Sequence, residues 1–179
     1  LKPDECTTKA IKKHSCINVQ FQNCVTEEFC REILDGIQCD DVILTALNDP
    51  TILKFGSDFH ASRREVSSKS YVIREIRDLT KLFITMKENQ PTIKTMKDIF
   101  NPSHFDNLVE AALSIAGYDK KTGRVKVPSV AYRLSQPVKD CANLVKNEEM
   151  NRLYNDKSHD RSSITMMDDF LYRIDSDWK

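Results

Sequence analysis

Glycine is scarce, with four in 179 residues, and proline adds six. So few turn residues exclude a loop-rich scaffold, and no Gly-rich phosphate-binding loop is present. No Cys-x-x-Cys pair occurs, which removes the tight ligand pairs that structural zinc sites use. No apolar run approaches the ~20 residues needed to span a bilayer, so no membrane partner is expected. Charge of one sign is missing too: 27 Lys and Arg balance 27 Asp and Glu. The sequence pI of about 7.1 lies well below that of most nucleic-acid-binding domains.

Catalytic groupings are equally thin. The histidines His14, His60, His104 and His159 are scattered, and Cys30 and Cys39 have no nearby His. Asp168-Asp169 and Glu148-Glu149 are adjacent pairs, which point to different faces of a helix and cannot present two carboxylates to one ion. His104 is expected in a helix's first turn, as a capping or surface residue. No catalytic residue, metal or cofactor is expected.

The six cysteines are Cys6, Cys16, Cys24, Cys30, Cys39 and Cys141. Five crowd the first 39 residues, but the rest is long-helical and needs no staples, so reduced thiols are preferred over a secreted disulfide framework. Cys6, His14, Cys16, Cys24 and Cys30 offer soft ligands whose only close pair is His14-x-Cys16. That pattern fits a finger truncated at its N-terminal side better than an intact one.

What is present is helical periodicity with clear punctuation. Thr26 can cap a helix through Phe29, Ile33 and Leu34 that Gly36 closes, and Asp40 or Asp41 starts the next. Asn48-Asp49-Pro50 breaks that one and begins a third through Phe59. A long helix from Ser70 to about Gln90 carries the stripe Val72, Ile76, Leu79, Phe83 and Met86. Asn101 caps and Pro102 opens a helix through Phe105, Leu108, Ala112 and Ala116, ended by Gly117. Asp119 to Gly123 is turn chemistry, with a brief extended piece at Arg124 to Val127. Pro128 starts a helix that Pro137 should kink or split, and the last begins near Ser162. No sheet is expected.

The expected architecture is an all-α, compact multi-helix bundle with an irregular, Cys-containing N-terminal arm. Residues 1–25 are read as that arm or a degraded finger, and 26–179 as one helical domain. Leu1-Lys2-Pro3 lacks an initiator Met and an apolar signal core. The final helix, with Ile164, Met167, Phe170, Leu171, Ile174 and Trp178, reaches Lys179 without a stop signal. The chain is therefore expected to be a piece of something longer, with that exposed helix open to a protein partner or a missing C-terminal domain.

The zero charge hides a division. Thr26 to Asp49 holds seven acids against Arg31 alone, whereas Gly117 to Lys139 holds Lys120, Lys121, Arg124, Lys126, Arg133 and Lys139 against Asp119. Arg74, Arg77 and Lys81 add bases along the long helix. Such a face beside a basic loop suits a phosphate backbone. On residues alone, ordinary solvated faces with i,i+4 neighbours are the preferred account.

Thr51-Ile52-Leu53-Lys54-Phe55-Gly56, Ile73-Arg74-Glu75-Ile76-Arg77-Asp78-Leu79-Thr80-Lys81-Leu82, Asn101-Pro102-Ser103-His104-Phe105, Ala116-Gly117-Tyr118-Asp119, Val127-Pro128-Ser129 and Lys139-Asp140-Cys141-Ala142 follow one another in this order. The string resembles the N-terminal helical region of large animal tyrosine-recombinase-like proteins, related to Crypton-type transposons, over roughly Thr26 to Trp178. The resemblance implies a core-binding-like helical module of an intracellular, nuclear, transposon-derived protein, with strand-cleaving residues in a downstream domain outside this chain. It implies double-stranded DNA as partner, and the charge pattern puts the expected phosphate contacts at Lys120, Lys121, Arg124 and Lys126, supported by Arg74, Arg77 and Lys81. A helical protein-interaction scaffold is the alternative.

Overall fold

The computed structural model describes residues 24–62, 68–156 and 160–178. The chain divides into two units, Leu1–Thr80 and Lys81–Lys179. The all-α expectation holds: among the described residues the helices are α1 (Glu27–Phe29), α2 (Asp41–Leu47), α3 (Pro50–Ala61), α4 (Ser68–Asn89), α5 (Phe105–Ile115), α6 (Pro128–Asn155) and α7 (Ser162–Asp177). The N-terminal arm through Asn23, with Cys6, His14 and Cys16, lies outside the described residues, as does His159.

In the first unit the expected caps are in place. Thr26 accepts from the Phe29 amide at 3.2 Å, Asp40 from Ile43 at 3.0 Å, and the buried Asp49 from both Thr51 and Ile52 at 3.0 Å. Each satisfies amides that a helix start leaves unpaired. The first helix departs from expectation. It passes at once into a π turn, Cys30–Leu34, where the Asp35 amide bonds the Cys30 carbonyl. The widened turn needs no left-handed stop, and Gly36 does not take a positive φ.

Helix α3 lies close against the first half of α4. A Cβ added at Gly56 would meet Ile76 Cδ1 at 2.7 Å and Phe29 Cζ at 3.0 Å. Gly56→Leu is therefore expected to cost about 1–3 kcal/mol through overpacking, despite the better helix propensity of leucine. Urea unfolding followed by circular dichroism checks this; an unchanged midpoint would refute the close approach.

In the second unit α6 and α7 pack against each other, and α5 packs on α6. Lys139 bonds Asp175 at 2.5 Å, Lys146 pairs with Asp168, and the Trp178 indole N–H bonds the Ala131 carbonyl at 3.2 Å. Rising numbers on one helix meet falling numbers on the other, so the two run antiparallel. Met167, Phe170, Leu171 and Ile174 are buried, and Trp178 is half-buried with its ring edge-on to Phe105. The stripe offered to an outside partner is thus used inside the unit.

Helix α6 runs unbroken past Pro137, so the expected split does not occur. Pro137 is buried with Leu134, Val138 and Cys141. That packing offsets the hydrogen bond its ring nitrogen cannot make. The other departure is a two-stranded antiparallel ladder, β1 (Tyr118–Asp119) and β2 (Arg124–Val125), where no sheet was expected.

Candidate nucleic-acid interface

The segment between α5 and α6 is a hairpin whose shape follows from a few residues. Gly117 stands at φ 77° and Gly123 at φ 66°, conformations that a side chain strains. Gly117 leaves the helix, its carbonyl taking the Lys126 amide at 3.2 Å, while the Val127 amide bonds Ala116 at 2.9 Å. A Cβ at Gly117 would lie 2.8 Å from Lys126 Cβ, so glycine is needed there for space as well.

Asp119 organises the tip. Its carboxylate accepts from the Lys121 amide at 2.8 Å and the Thr122 hydroxyl at 2.9 Å, and its carbonyl from the Gly123 amide at 2.8 Å. The Lys121 amide, then the Thr122 hydroxyl, hold the carboxyl below the usual aspartate range. The one acid of the hairpin is thus ionised, and its oxygens are committed to the turn.

Strand alternation sorts the remaining side chains. Tyr118 faces Val125 and Asp119 faces Arg124, so Tyr118 and Val125 share one side while Arg124 lies on the other. Lys126, across from Gly117, falls on the Arg124 side. Lys120 and Lys121 occupy the tip. All four cations are exposed, and among the described residues none of them forms an ion pair.

Other bases of the same unit divide: Lys81, Lys87, Lys94 and Arg161 are likewise exposed without an ion pair among the described residues, whereas five are paired. Lys97 and Arg152 both reach the buried Glu149, at 2.5 and 2.9 Å. Lys139 and Lys146 pair with Asp175 and Asp168. Arg173 bonds Asp106 and the Pro102 carbonyl and covers the Phe105 ring at 4.3 Å. These five neutralise acids of the fold itself; the hairpin gathers four bases that do not.

The bases expected on the long helix behave differently. Arg77 donates to Asp40 at 2.6 Å and to the Gln38 carbonyl at 3.0 Å, so it fixes the start of α2. Its hydrogen bond, followed by that of the Ile43 amide, pulls the Asp40 carboxyl below its ordinary value. Arg74 lies beside the buried Glu75 at 3.2 Å and over the Tyr71 ring at 4.4 Å. Lys81 is exposed and makes no ion pair among the described residues. Arg74 and Arg77 belong to the first unit, and Lys81 and the hairpin to the second.

Exposed apolar side chains were not foreseen. Among the described residues the large ones are Tyr118 at 40%, Val127 at 43%, Tyr132 at 72%, Tyr154 at 76% and Tyr172 at 73%. Three of the five lie between residues 118 and 132, on the hairpin or the helix it feeds. The signal available beforehand was the place of Tyr132 off the α6 stripe of Val130, Leu134 and Val138.

Other candidate chemistry gains nothing. Cys24, Cys30 and Cys39 are free thiols. Burial, then the charges of Asp35 and Glu27, push the Cys30 thiol up, away from reactive thiolate. His104 ends a 3-10 turn (Pro102–His104) before α5 and makes no side-chain cap. Among the described residues no three His, Cys, Asp or Glu side chains gather as a metal site, and no helix is long and apolar enough to cross a membrane. No protein-family model matches the chain, and neither a curated protein nor a solved structure does.

Proposed function

We propose that the chain is a non-catalytic helical module that binds double-stranded DNA, contacting phosphates through Lys120, Lys121, Arg124 and Lys126. One observation carries this: four exposed cations, none of them ion-paired among the described residues, are gathered on one short hairpin whose single acid is committed to the turn. Unpartnered cations release counterions when they meet phosphate, whereas a paired cation must first give up its acid. The resemblance to tyrosine-recombinase-like proteins adds support and suggests a nuclear setting, with strand cleavage left to another domain. Arg77 is not a phosphate ligand in this reading, because Asp40 already holds it.

The alternative, a protein-interaction scaffold, draws on Tyr154 and Tyr172, which stand exposed away from the hairpin. Fluorescence anisotropy with labelled duplex at low salt separates the two. The variant K120A/K121A/R124A/K126A is expected to lose at least tenfold in affinity, while Tyr154→Ala with Tyr172→Ala leaves it unchanged. Wild-type protein that fails to bind duplex, or a charge variant that binds as well, defeats the proposal.

A further inference from the structure

Thr122 stands at the exposed tip of the hairpin, between Lys121 and Gly123, with Arg124 two residues on. Its hydroxyl donates to Asp119 Oδ2 at 2.9 Å. Asp119 faces Arg124 in the ladder, so the carboxylate that takes this hydroxyl belongs to the ribbon side that Arg124 and Lys126 share. The hydroxyl is thereby held outside any helix, among bases that form no ion pair among the described residues. Other hydroxyls are placed differently. Thr45, Thr85, Ser135 and Ser176 turn theirs back onto carbonyls of their own helices. An exposed loop tip can enter an enzyme's cleft as it stands, whereas a packed helix must first unwind.

Building on the reading of the hairpin as a DNA contact, we propose that Thr122 is a phosphorylation site that switches this contact off. A nucleoside triphosphate is the donor. Its terminal phosphoryl group moves to Thr122 Oγ1, the bond to the bridging oxygen of the diphosphate leaving group breaks, and the hydroxyl proton passes to the enzyme's base. The kinase that fits has an acidic cleft, because Lys120, Lys121 and Arg124 flank the acceptor while Asp119 is folded back into the turn. The new group carries about −1.5 to −2 charges and three acceptor oxygens. Four bases against one acid leave the hairpin three positive charges in excess, and the phosphate cancels about two of them. Modification also removes the hydroxyl proton that Asp119 accepts, so the phosphate is repelled by that carboxylate and drawn to the bases. It then takes, from within the chain, the cations that a DNA phosphate would meet.

Two experiments on the full chain test this. In the first, the protein is incubated with ATP and the catalytic fragment of a serine/threonine kinase selective for basic sequences, and the phosphate is mapped by peptide mass spectrometry. Thr122 is expected to be modified, with Thr122→Val as the blank. A wild-type chain left unmodified at Thr122 overturns the site. In the second, phosphothreonine is installed at position 122 during synthesis, and binding of labelled duplex is followed by anisotropy. The phosphorylated chain is expected to bind at least tenfold more weakly at about 50 mM salt, and the slope of log affinity against log salt to shrink from about −3.6 to about −1.8. Thr122→Val removes the hydroxyl without adding charge and should stay within about twofold of wild type. An equal loss in Thr122→Val would assign the effect to the Asp119 bond and overturn the switch. If unmodified protein binds duplex and the phosphorylated form binds as well, the DNA reading stands and the switch alone falls. If unmodified protein binds no duplex, both fall.

Discussion

Phe170→Ala is expected to destabilise the second unit by about 3–5 kcal/mol, the largest effect of any single substitution considered. Phe170 is fully buried, with its ring 5.6 Å from that of Phe100 at 59° and 6.4 Å from that of Phe105 at 77°. These tilted and edge-on contacts add to the area that the ring removes from water. Truncation leaves a cavity bounded by two aromatic rings, anchored on the 3-10 segment (Met96–Ile99) and on α5, and such rings collapse poorly into a void. A domain's whole stability is about 5–15 kcal/mol, so the variant should unfold at much lower urea. Phe170→Leu, which keeps most of the volume, should cost under about 1.5 kcal/mol. A loss below about 1 kcal/mol for the alanine variant would mean that the aromatic cluster does not form.

The second large effect is on the salt dependence of duplex binding. Four phosphate contacts imply a slope of about −3.6 for log affinity against log salt. Raising salt from about 50 to about 200 mM should then weaken binding roughly 100-fold. Removing one base, as in Lys121→Ala, should reduce the slope by about 0.9, and removing all four should bring it near zero. Arg77→Ala should leave the slope unchanged while weakening the first unit, since its partner is Asp40. A slope unaffected by the hairpin variants would place the phosphate contacts elsewhere.

Much of this fold was legible because helix ends are local. Thr26, Asp40, Asp49-Pro50, Asn101-Pro102, Gly117 and Pro128 each act within three or four residues, and each sits where its chemistry places it. The π turn at Cys30–Leu34 has no comparable side-chain signature. The hairpin ladder was hard to see because two residues per strand are too few to show alternation.

Among the site residues, local sequence found the basic loop but could not sort its cations from the rest. Arg77 and Asp40 are 37 positions apart, and Lys97 and Glu149 are 52 apart. Pairing over such distances depends on packing, so Arg77 and Lys121 look alike in the chain and differ in the fold. Tyr118 and Tyr132 were passed over for the same reason, since only packing decides which aromatic side chains are left outside.

The hydrogen bond from Trp178 to Ala131 gives the molecule a built-in optical reporter. The chain has one tryptophan, and its indole is held against the opening turns of the helix that the hairpin feeds, edge-on to Phe105. Its emission is thus sensitive to the hydration of that end of the bundle, without any introduced dye. Events at the hairpin and loss of the Phe105 cluster become visible in one spectroscopic channel.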